Sequence, residues 1–226
     1  MRPRGARACA HQRASPVKKR LVVFASGNGS NFQALVDACA REQLHAEITL
    51  LITNRRTAYA AERAAQAGIP HRYEPLRPWL QDGKERADYD AFLAEIVADQ
   101  HPHAIVLAGW MHIFTDRFIE RFHGRILNVH PALLPAFPGP HAISDALAYG
   151  VKVTGVTIMY IWPGGPMSYD NGPIILQEAV PVYDDDDEDT LGARIHNVEH
   201  RLLPEAVRLH LEEKLEVHDR HVYIRS

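Results

Sequence analysis

Long apolar runs are missing from this sequence, and so are the other features that mark secreted or membrane proteins. No run approaches the roughly 18 apolar residues of a spanning helix, and no compact hydrophobic stretch follows the N-terminal charges as a secretory signal would require. The two cysteines, Cys9 and Cys39, are too few for a disulfide framework. We therefore expect a soluble protein of a reducing compartment, the cytoplasm, with no disulfide and no membrane partner.

Acidic residues are absent from the first twenty positions, which hold seven Lys or Arg. The remainder carries 18 basic against 28 acidic residues, a formal charge of −10. Such an acidic body argues against nucleic-acid binding, because phosphate contacts need clustered Lys and Arg. We predict a basic, disordered extension over residues 1–19 and a single domain over 20–226. The composition of the extension is compatible with organellar import, with a misassigned start codon or with a simple tail.

Short β-branched runs alternate with longer amphipathic stretches from residue 20 onward. This alternation predicts a doubly wound α/β fold, with a mostly parallel sheet and helices on both faces. The last two predicted strands can pair as a hairpin. Strands are predicted at 21–25, 47–53, 104–108, 126–129, 152–161 and 173–182, and helices at 31–40, 58–67, 89–100, 141–149 and 190–210.

A glycine-rich segment follows the first predicted strand and reads Ser26-Gly27-Asn28-Gly29-Ser30-Asn31. Its glycines permit a sharp turn that presents backbone N–H groups at a helix N-terminus, which is a geometry that binds phosphate. It lacks the third glycine of the dinucleotide fingerprint and the lysine of the P-loop. A tight turn with Ser or Asn as the helix N-cap explains the same residues equally well.

Polar residues suited to acyl transfer follow the strand predicted at 126–129. Asn128 and His130 are separated by one residue, so both side chains lie on the same face of an extended segment. A carboxamide can stabilise a developing oxyanion, and an imidazole can move protons near neutral pH. Asp170 precedes a turn into the last strand, and a carboxylate there can orient the imidazole. A turn residue is the alternative for Asp170.

Two further patterns permit a metal site, although another interpretation is preferred for each. The acidic run 184–189 is interpreted as a solvated loop near a helix N-terminus rather than a calcium site, because consecutive acids point in different directions. The segment His196-Asn197-Val198-Glu199-His200 matches the His-x-x-Glu-His zinc-protease pattern. Few residues follow it to supply a third ligand. We therefore predict no metal site.

Five segments, in this order, resemble the phosphoribosylglycinamide formyltransferases, folate-dependent enzymes of purine synthesis. They are SGNGSN (26–31), LAGWMHIF (107–114), LNVHPALLPAFPG (127–139), VKVTGVT (151–157) and DNGPII (170–175). The resemblance covers roughly residues 21–210. It implies formyl transfer from 10-formyltetrahydrofolate, a cosubstrate, to the amine of 5-phosphoribosylglycinamide. Both substrates are small molecules, and the sequence leaves monomer and homodimer open.

The resemblance also implies a role for individual residues. The implied catalytic residues are Asn128, His130 and Asp170. The implied phosphate-binding residues are Gly29, Ser30 and Asn31, with Pro131 and Glu199 contacting the glycinamide substrate. The implied folate-binding residues are Arg86, Met111, His112, Ile113 and Phe114. The chain departs from the family at His112, where arginine is frequent, at Met159, where histidine is usual, and at 161–169, where the loop is longer and lacks acids.

Three other functions are compatible with parts of the same sequence pattern. Hydrolysis of formyltetrahydrofolate would employ the same three catalytic residues with water in place of the amine. Formyl transfer to methionyl-tRNA is disfavoured by the acidic body. A non-catalytic folate or nucleotide binder is the alternative from a different functional class.

Overall fold

The computed structural model describes residues 17–164 and 170–225 of the chain. The first strand begins at Lys19, so the last residue of the predicted extension already belongs to the folded domain. The rest of the extension up to residue 16, including Cys9, and residues 165–169 of the lengthened loop lie outside the described residues. Within the described part, no helix is both long and apolar enough to cross a bilayer.

The described residues form one mixed sheet of nine strands. The strands are β1 (Lys19–Phe24), β2 (Ala46–Thr53), β3 (His71–Tyr73), β4 (Ala104–Leu107), β5 (Ile126–His130), β6 (Val153–Tyr160), β7 (Ile174–Pro181), β8 (Leu215–His218) and β9 (His221–Ile224). Their order is β3-β2-β1-β4-β5-β6-β7-β9-β8. Strands β1 to β5 run parallel, whereas β6 is antiparallel to both β5 and β7. The chain reverses its winding between β1 and β4, where open α/β sheets bind ligands beyond the carboxyl ends of the strands.

Helices cover both faces of this sheet. Those in the described residues are α1 (Ser30–Ala40), α2 (Ala60–Gln66), α3 (Leu76–Gln81), α4 (Arg86–Ala98), α5 (Asp116–Arg121), α6 (Ala142–Tyr149) and α7 (Glu188–Leu211). Successive residues of β1 point to opposite faces, so Leu21 and Val23 pack with α1, α2 and α7 while Val22 and Phe24 pack with α4 and α5. Burying each large side chain contributes about 1.5–3 kcal/mol. The two apolar clusters therefore fix the sheet from both sides.

The predicted fold class is confirmed, and so is the hairpin between the last two predicted strands, which is the β6–β7 pair. The elements that the sequence did not predict are short. Helices α3 and α5 have six residues each and β3 has three, too few for a periodic pattern to emerge. The β8–β9 hairpin alternates apolar and polar residues around a turn at Asp219, where φ is +53°, and that alternation was the signal that could have identified it.

The acidic run 184–189 caps the longest helix. The carboxylate of Asp187 accepts a hydrogen bond from the backbone N–H of Thr190 at 2.8 Å and forms a capping box with that residue. Asp186 pairs with Arg194 at 2.7 Å, and this ion pair holds the pKa of the Asp186 carboxyl well below its usual range. The acidic run therefore caps α7 and places negative charge at its N-terminus, as the sequence indicated.

Removing this cap is expected to destabilise the fold modestly. Asp187→Ala leaves the amide of Thr190 without its acceptor, and loss of such an N-cap costs about 1 kcal/mol. Urea unfolding of the variant and of Asp185→Ala, an exposed neighbour in the same run, measures the effect. Equal unfolding free energies for the two variants would contradict the capping role.

Candidate active site

Two loops meet at the carboxyl ends of β1 and β4. The backbone N–H of Ser26 donates to the carbonyl oxygen of Gly109 at 3.0 Å, and the N–H of Met111 donates to the hydroxyl oxygen of Ser26 at 2.9 Å. These hydrogen bonds join the glycine-rich segment after β1 to the loop after β4. Because β5 lies beside β4 in parallel, the segment that follows β5 reaches the same edge of the sheet.

A cavity of about 640 Å³ opens at this edge. Asn128 and His130 lie on β5 and line the cavity together, with only 6% and 4% of their surfaces exposed. Their shared orientation follows from the two-residue period of the strand. Pro131 and Asp170 also line the cavity. The structure thus brings the three predicted catalytic residues and one predicted substrate contact to a single concave surface.

His130 lies between two oxygen acceptors. Its Nε2 atom is 2.8 Å from the carbonyl oxygen of Phe137, and since a carbonyl only accepts, Nε2 is the donor. Its Nδ1 atom lies 3.5 Å from Oδ1 of Asp170, longer than a strong hydrogen bond. Nδ1 is therefore the ring nitrogen with room to meet a reacting atom, and the carboxylate beside it can compensate a positive charge on the ring.

Asp170 is held in place by backbone contacts on both sides. Its Oδ2 atom accepts a hydrogen bond from the N–H of Gly139 at 2.7 Å. Two residues later, Gly172 passes so close to β6 that a side-chain Cβ would lie 1.7 Å from the carbonyl oxygen of Tyr160. The sequence suggested only a turn at Asn171-Gly172, but the structure requires glycine there for close backbone approach. This close approach fixes where the turn leaves the carboxylate.

The loop after His130 is anchored by two residues that the sequence did not single out. The hydroxyl of Thr157 donates to the carbonyl oxygen of Ala132 at 2.6 Å and accepts from the N–H of Leu134 at 3.1 Å. The Gln177 amide donates to Thr157 Oγ1 at 2.9 Å and to the Leu134 carbonyl at 3.0 Å. These contacts cross from β6 and β7 to the loop, so no local sequence signal could identify them. They hold the loop that carries Pro131.

The loop after β4 forms an apolar wall of the cavity. Met111 and Ile113 line it and remain 56% and 42% exposed, which suits a flat apolar ligand. His112 also lines the cavity but is buried, with its Nε2 atom 2.7 Å from Oδ1 of Asp90. Phe114 lies in the core instead, stacked on Phe118 at 3.9 Å between ring centroids.

Arg86 is the predicted folate contact on α4. It is exposed at the first position of α4 and is not among the described residues that line the cavity. Met159, at the position where the family usually has histidine, is fully buried opposite Asn128 in the β5–β6 pair. An apolar side chain is suited to that buried position.

The glycine-rich segment leaves helix α1 open at its N-terminus. Gly29, with φ of +76°, occupies the N-cap position, and no side chain caps the helix. The alternative interpretation of this segment placed Ser or Asn at the cap, and the structure has glycine there instead. Without a side-chain cap, the first amides of α1, those of Ser30 and Asn31 among them, have no intrahelical acceptor. Such amides are suited to bind an anion.

Glu199 of α7 lies against this helix start. Its Oε2 atom accepts a hydrogen bond from Nδ2 of Asn31 at 2.8 Å, and only 4% of Glu199 is exposed. Burial raises the pKa of the Glu199 carboxyl, whereas the hydrogen bond from Asn31 and the nearby His196 and His130 oppose that rise. The acid therefore joins α7 to the start of α1, although 168 positions separate it from Asn31.

The His-x-x-Glu-His pattern has no metal geometry. His196 is 4.0 Å from Glu199, and the rings of His196 and His200 stack in parallel with 6.2 Å between centroids. Among residues 17–164 and 170–225, no group of three His, Cys, Asp or Glu is arranged to hold a metal ion. Glu199 accepts a hydrogen bond from Asn31 instead.

The burial of Glu199 predicts a pH-dependent stability. A folded-state pKa above the unfolded value means that the folded protein binds this proton more tightly, so the unfolding free energy falls as pH rises through the interval between the two values. Glu199→Gln removes the titration while its carbonyl can still accept from Asn31. The variant should therefore gain stability relative to the native protein as pH rises, by about 1.4 kcal/mol for each unit of pKa elevation.

Urea unfolding of both proteins near pH 5 and near pH 8 tests this expectation. Glu205→Gln, a partly exposed acid on the same helix whose pKa is lowered by Arg208, is the matched control and should not gain stability with rising pH. A difference between native protein and Glu199→Gln that is constant with pH would refute the burial argument.

Comparison with known families agrees with this arrangement. Residues 19–207 match the family described as Formyl transferase. Because that match spans well over half of the chain, the protein belongs to the formyl transferase family.

Its relatives narrow this assignment to one group. A phosphoribosylglycinamide formyltransferase from Mycobacterium tuberculosis is 45% identical over 83% of each chain, and that from Escherichia coli is 36% identical over 88% of this chain and 90% of its own. The solved structure of glycinamide ribonucleotide transformylase 1 from Symbiobacterium toebii superimposes with a TM-score of 0.87 at 38% identity, covering 94% of this chain and 96% of its own. The predicted resemblance to the phosphoribosylglycinamide formyltransferases is confirmed.

Proposed function

We propose that this protein transfers the formyl group of 10-formyltetrahydrofolate to the amine of 5-phosphoribosylglycinamide, a step of purine synthesis. The observation that carries the proposal is the convergence of Asn128, His130 and Asp170 on one cavity, with the open N-terminus of α1 nearby. The names of the relatives favour the same reaction over hydrolysis.

Acyl transfer requires donors aimed at the oxygen on which negative charge develops. The carboxamide of Asn128 supplies N–H donors, and Nδ1 of His130 supplies another when the ring is protonated. Both side chains are almost fully buried, so their hydrogen bonds act in a region with little competing water. The carboxylate of Asp170, 3.5 Å from Nδ1, stabilises the charged ring.

The reaction balances without any further reagent. The amine nitrogen attacks the formyl carbon and forms a C–N bond, and the carbonyl oxygen becomes an oxyanion held by Asn128 and His130. Collapse of the tetrahedral intermediate breaks the bond between the formyl carbon and N10 of the folate. The proton lost by the amine is delivered to N10 through His130 or an ordered water.

The two substrates approach from different sides of these groups. We place the substrate phosphate on the amides of Gly29, Ser30 and Asn31 and the ribose beside Glu199, whose carboxylate accepts hydrogen bonds. Pro131 lies where the glycinamide would pass. The folate lies against Met111, His112 and Ile113, since the exposed apolar side chains of this wall fit an aromatic ring system.

Absorbance of the deformylated folate, recorded with and without the phosphoribosylglycinamide, tests the proposal. Formation that depends on the amine is the expected result. Formation at the same rate without the amine would identify a hydrolase, because the same three residues can activate water. Absence of product under both conditions, with folate binding retained, would identify a binding protein.

A further inference from the structure

The side chain of Arg63, on α2, donates hydrogen bonds to the glycine-rich segment. Its Nε atom donates to the carbonyl oxygen of Asn28 at 2.9 Å, and its Nη2 atom donates to Oδ1 of the same residue at 2.9 Å. Its Nη1 atom reaches Oε1 of Gln33, in the first turns of α1, at 3.5 Å. One guanidinium therefore connects the segment before α1 to the helix itself, a task suited to its rigid fork of donors.

The start of α2 also sets the backbone at the helix cap. A Cβ at Gly29 would lie 2.6 Å from the Cβ of Ala60, and the N–H of Ala60 donates to the carbonyl oxygen of Gly27 at 3.2 Å. The segment is thus packed against the start of α2. Movement of α2 or loss of its contacts would change where those amides point.

The charge of Arg63 is not neutralised by a carboxylate. No Asp or Glu in residues 17–164 and 170–225 lies within ion-pair distance of its guanidinium. Three of its five N–H donors are used within the described part of the chain, so two remain there for a further acceptor. Arg63 and Ser30 line one cavity of about 510 Å³ between α1 and α7. An anion on the Ser30 amide would lie in the field of this positive charge.

The other charged groups around that cavity have partners of their own or lie farther from Ser30. Arg201 pairs with Glu178, and Asp37 accepts from Gln33 at 2.9 Å. Arg41 follows the last residue of α1, at the opposite end of that helix from Ser30. Burial first, and then the positive charges of His196 and Arg63, lower the pKa of His200. Arg63 is the cation placed at the helix start.

We propose that Arg63 is the residue that confers selectivity for the phosphorylated substrate. It positions the segment so that the amides of Ser30 and Asn31 face the phosphate, and it supplies the positive charge that the phosphate neutralises. The inference rests on the proposed function, because it assigns the phosphate of that substrate to this helix start.

Steady-state kinetics with the phosphorylated substrate and with the same ribosyl-glycinamide lacking its phosphate test the proposal. Arg63→Gln should raise KM for the phosphorylated substrate by about 10- to 100-fold, the range expected for loss of a charge-assisted contact. KM for the unphosphorylated compound, KM for the folate and kcat should each change by less than about threefold. Arg63→Lys, which keeps the charge but loses the fork, should restore only part of the selectivity.

The matched control is Arg41→Gln, since Arg41 lines the same cavity and the mechanism assigns it no role. It should leave every constant unchanged. An equal rise in KM for both ribosyl compounds in Arg63→Gln, or a fall in kcat alone, would mean that Arg63 has only a structural role and would overturn the proposal.

A binding measurement separates this inference from the proposed function. Calorimetric titration with ribose 5-phosphate and with ribose needs no turnover. The native protein should bind the phosphorylated sugar more tightly, and Arg63→Gln should lose that preference while its melting temperature stays within a few degrees. If the preference persists in the variant, the inference fails even where turnover is normal. If the preference is lost but the native protein does not turn over the phosphoribosylglycinamide, the proposed function fails and the phosphate site remains.

Discussion

Replacing His130 with alanine is expected to lower kcat by about 10²-fold or more while the fold survives. The imidazole is buried and lines the cavity, and in the proposed mechanism it donates to an oxyanion that exists only during the reaction. Asn128→Ala should have an effect of the same order for the same reason. Because the interaction is absent in the ground state, KM for either substrate should change far less than kcat.

The fold must be shown to survive, since both side chains are buried on the central strand β5. Thermal unfolding and binding of a folate analogue to each variant provide that check. His141→Ala serves as a control because His141 is exposed beside the same loop. Normal turnover in His130→Ala or in Asn128→Ala would rule out the mechanism.

Much of this site could be predicted from the sequence because its signals are local. Asn128 and His130 are two residues apart at the end of a β-branched run, and the period of a strand is sufficient to place them on one face. The same holds for the glycine-rich segment, where a strand, a turn and a helix follow one another directly. The cap of α1 was not predicted correctly: Ser or Asn was expected, whereas Gly29 occupies that position at φ +76°.

Contacts that join distant segments escaped prediction. The hydrogen bond from Asn31 to Glu199 joins α1 to α7, and that of His112 with Asp90 joins the loop after β4 to α4. Neither pair has a sequence spacing that identifies it. Both contacts arise from the way in which distant helices and loops pack on the sheet. Arg63 belongs to the same category, since its partner Asn28 lies 35 positions away.

Asp170 follows the lengthened loop, and the prediction for this residue depends more on the structure than the others do. The resemblance to the family implies a catalytic role for Asp170, which follows a segment that is longer than in the family. Residues 165–169 of that segment lie outside the described residues. The turn after it is nonetheless fixed on β6, because the N–H of Tyr160 donates to the carbonyl oxygen of Pro173 at 3.0 Å and Gly172 permits the close approach. These contacts, together with the hydrogen bond from Gly139, hold the carboxylate at the cavity.

Asp170→Asn should therefore lower kcat on the order of 10²-fold with a smaller change in KM for the glycinamide substrate. The amide oxygen can still accept from the N–H of Gly139, so the turn keeps its shape, but the negative charge 3.5 Å from His130 is lost. In the proposed mechanism that charge compensates positive charge on the ring during the reaction, so its loss weakens the donor to the oxyanion. Asp145→Asn, which alters an exposed acid on α6, should leave both constants unchanged. Steady-state kinetics on both variants measure kcat and KM. Unchanged turnover in Asp170→Asn would show that Asp170 is only a turn residue and that His130 acts without it.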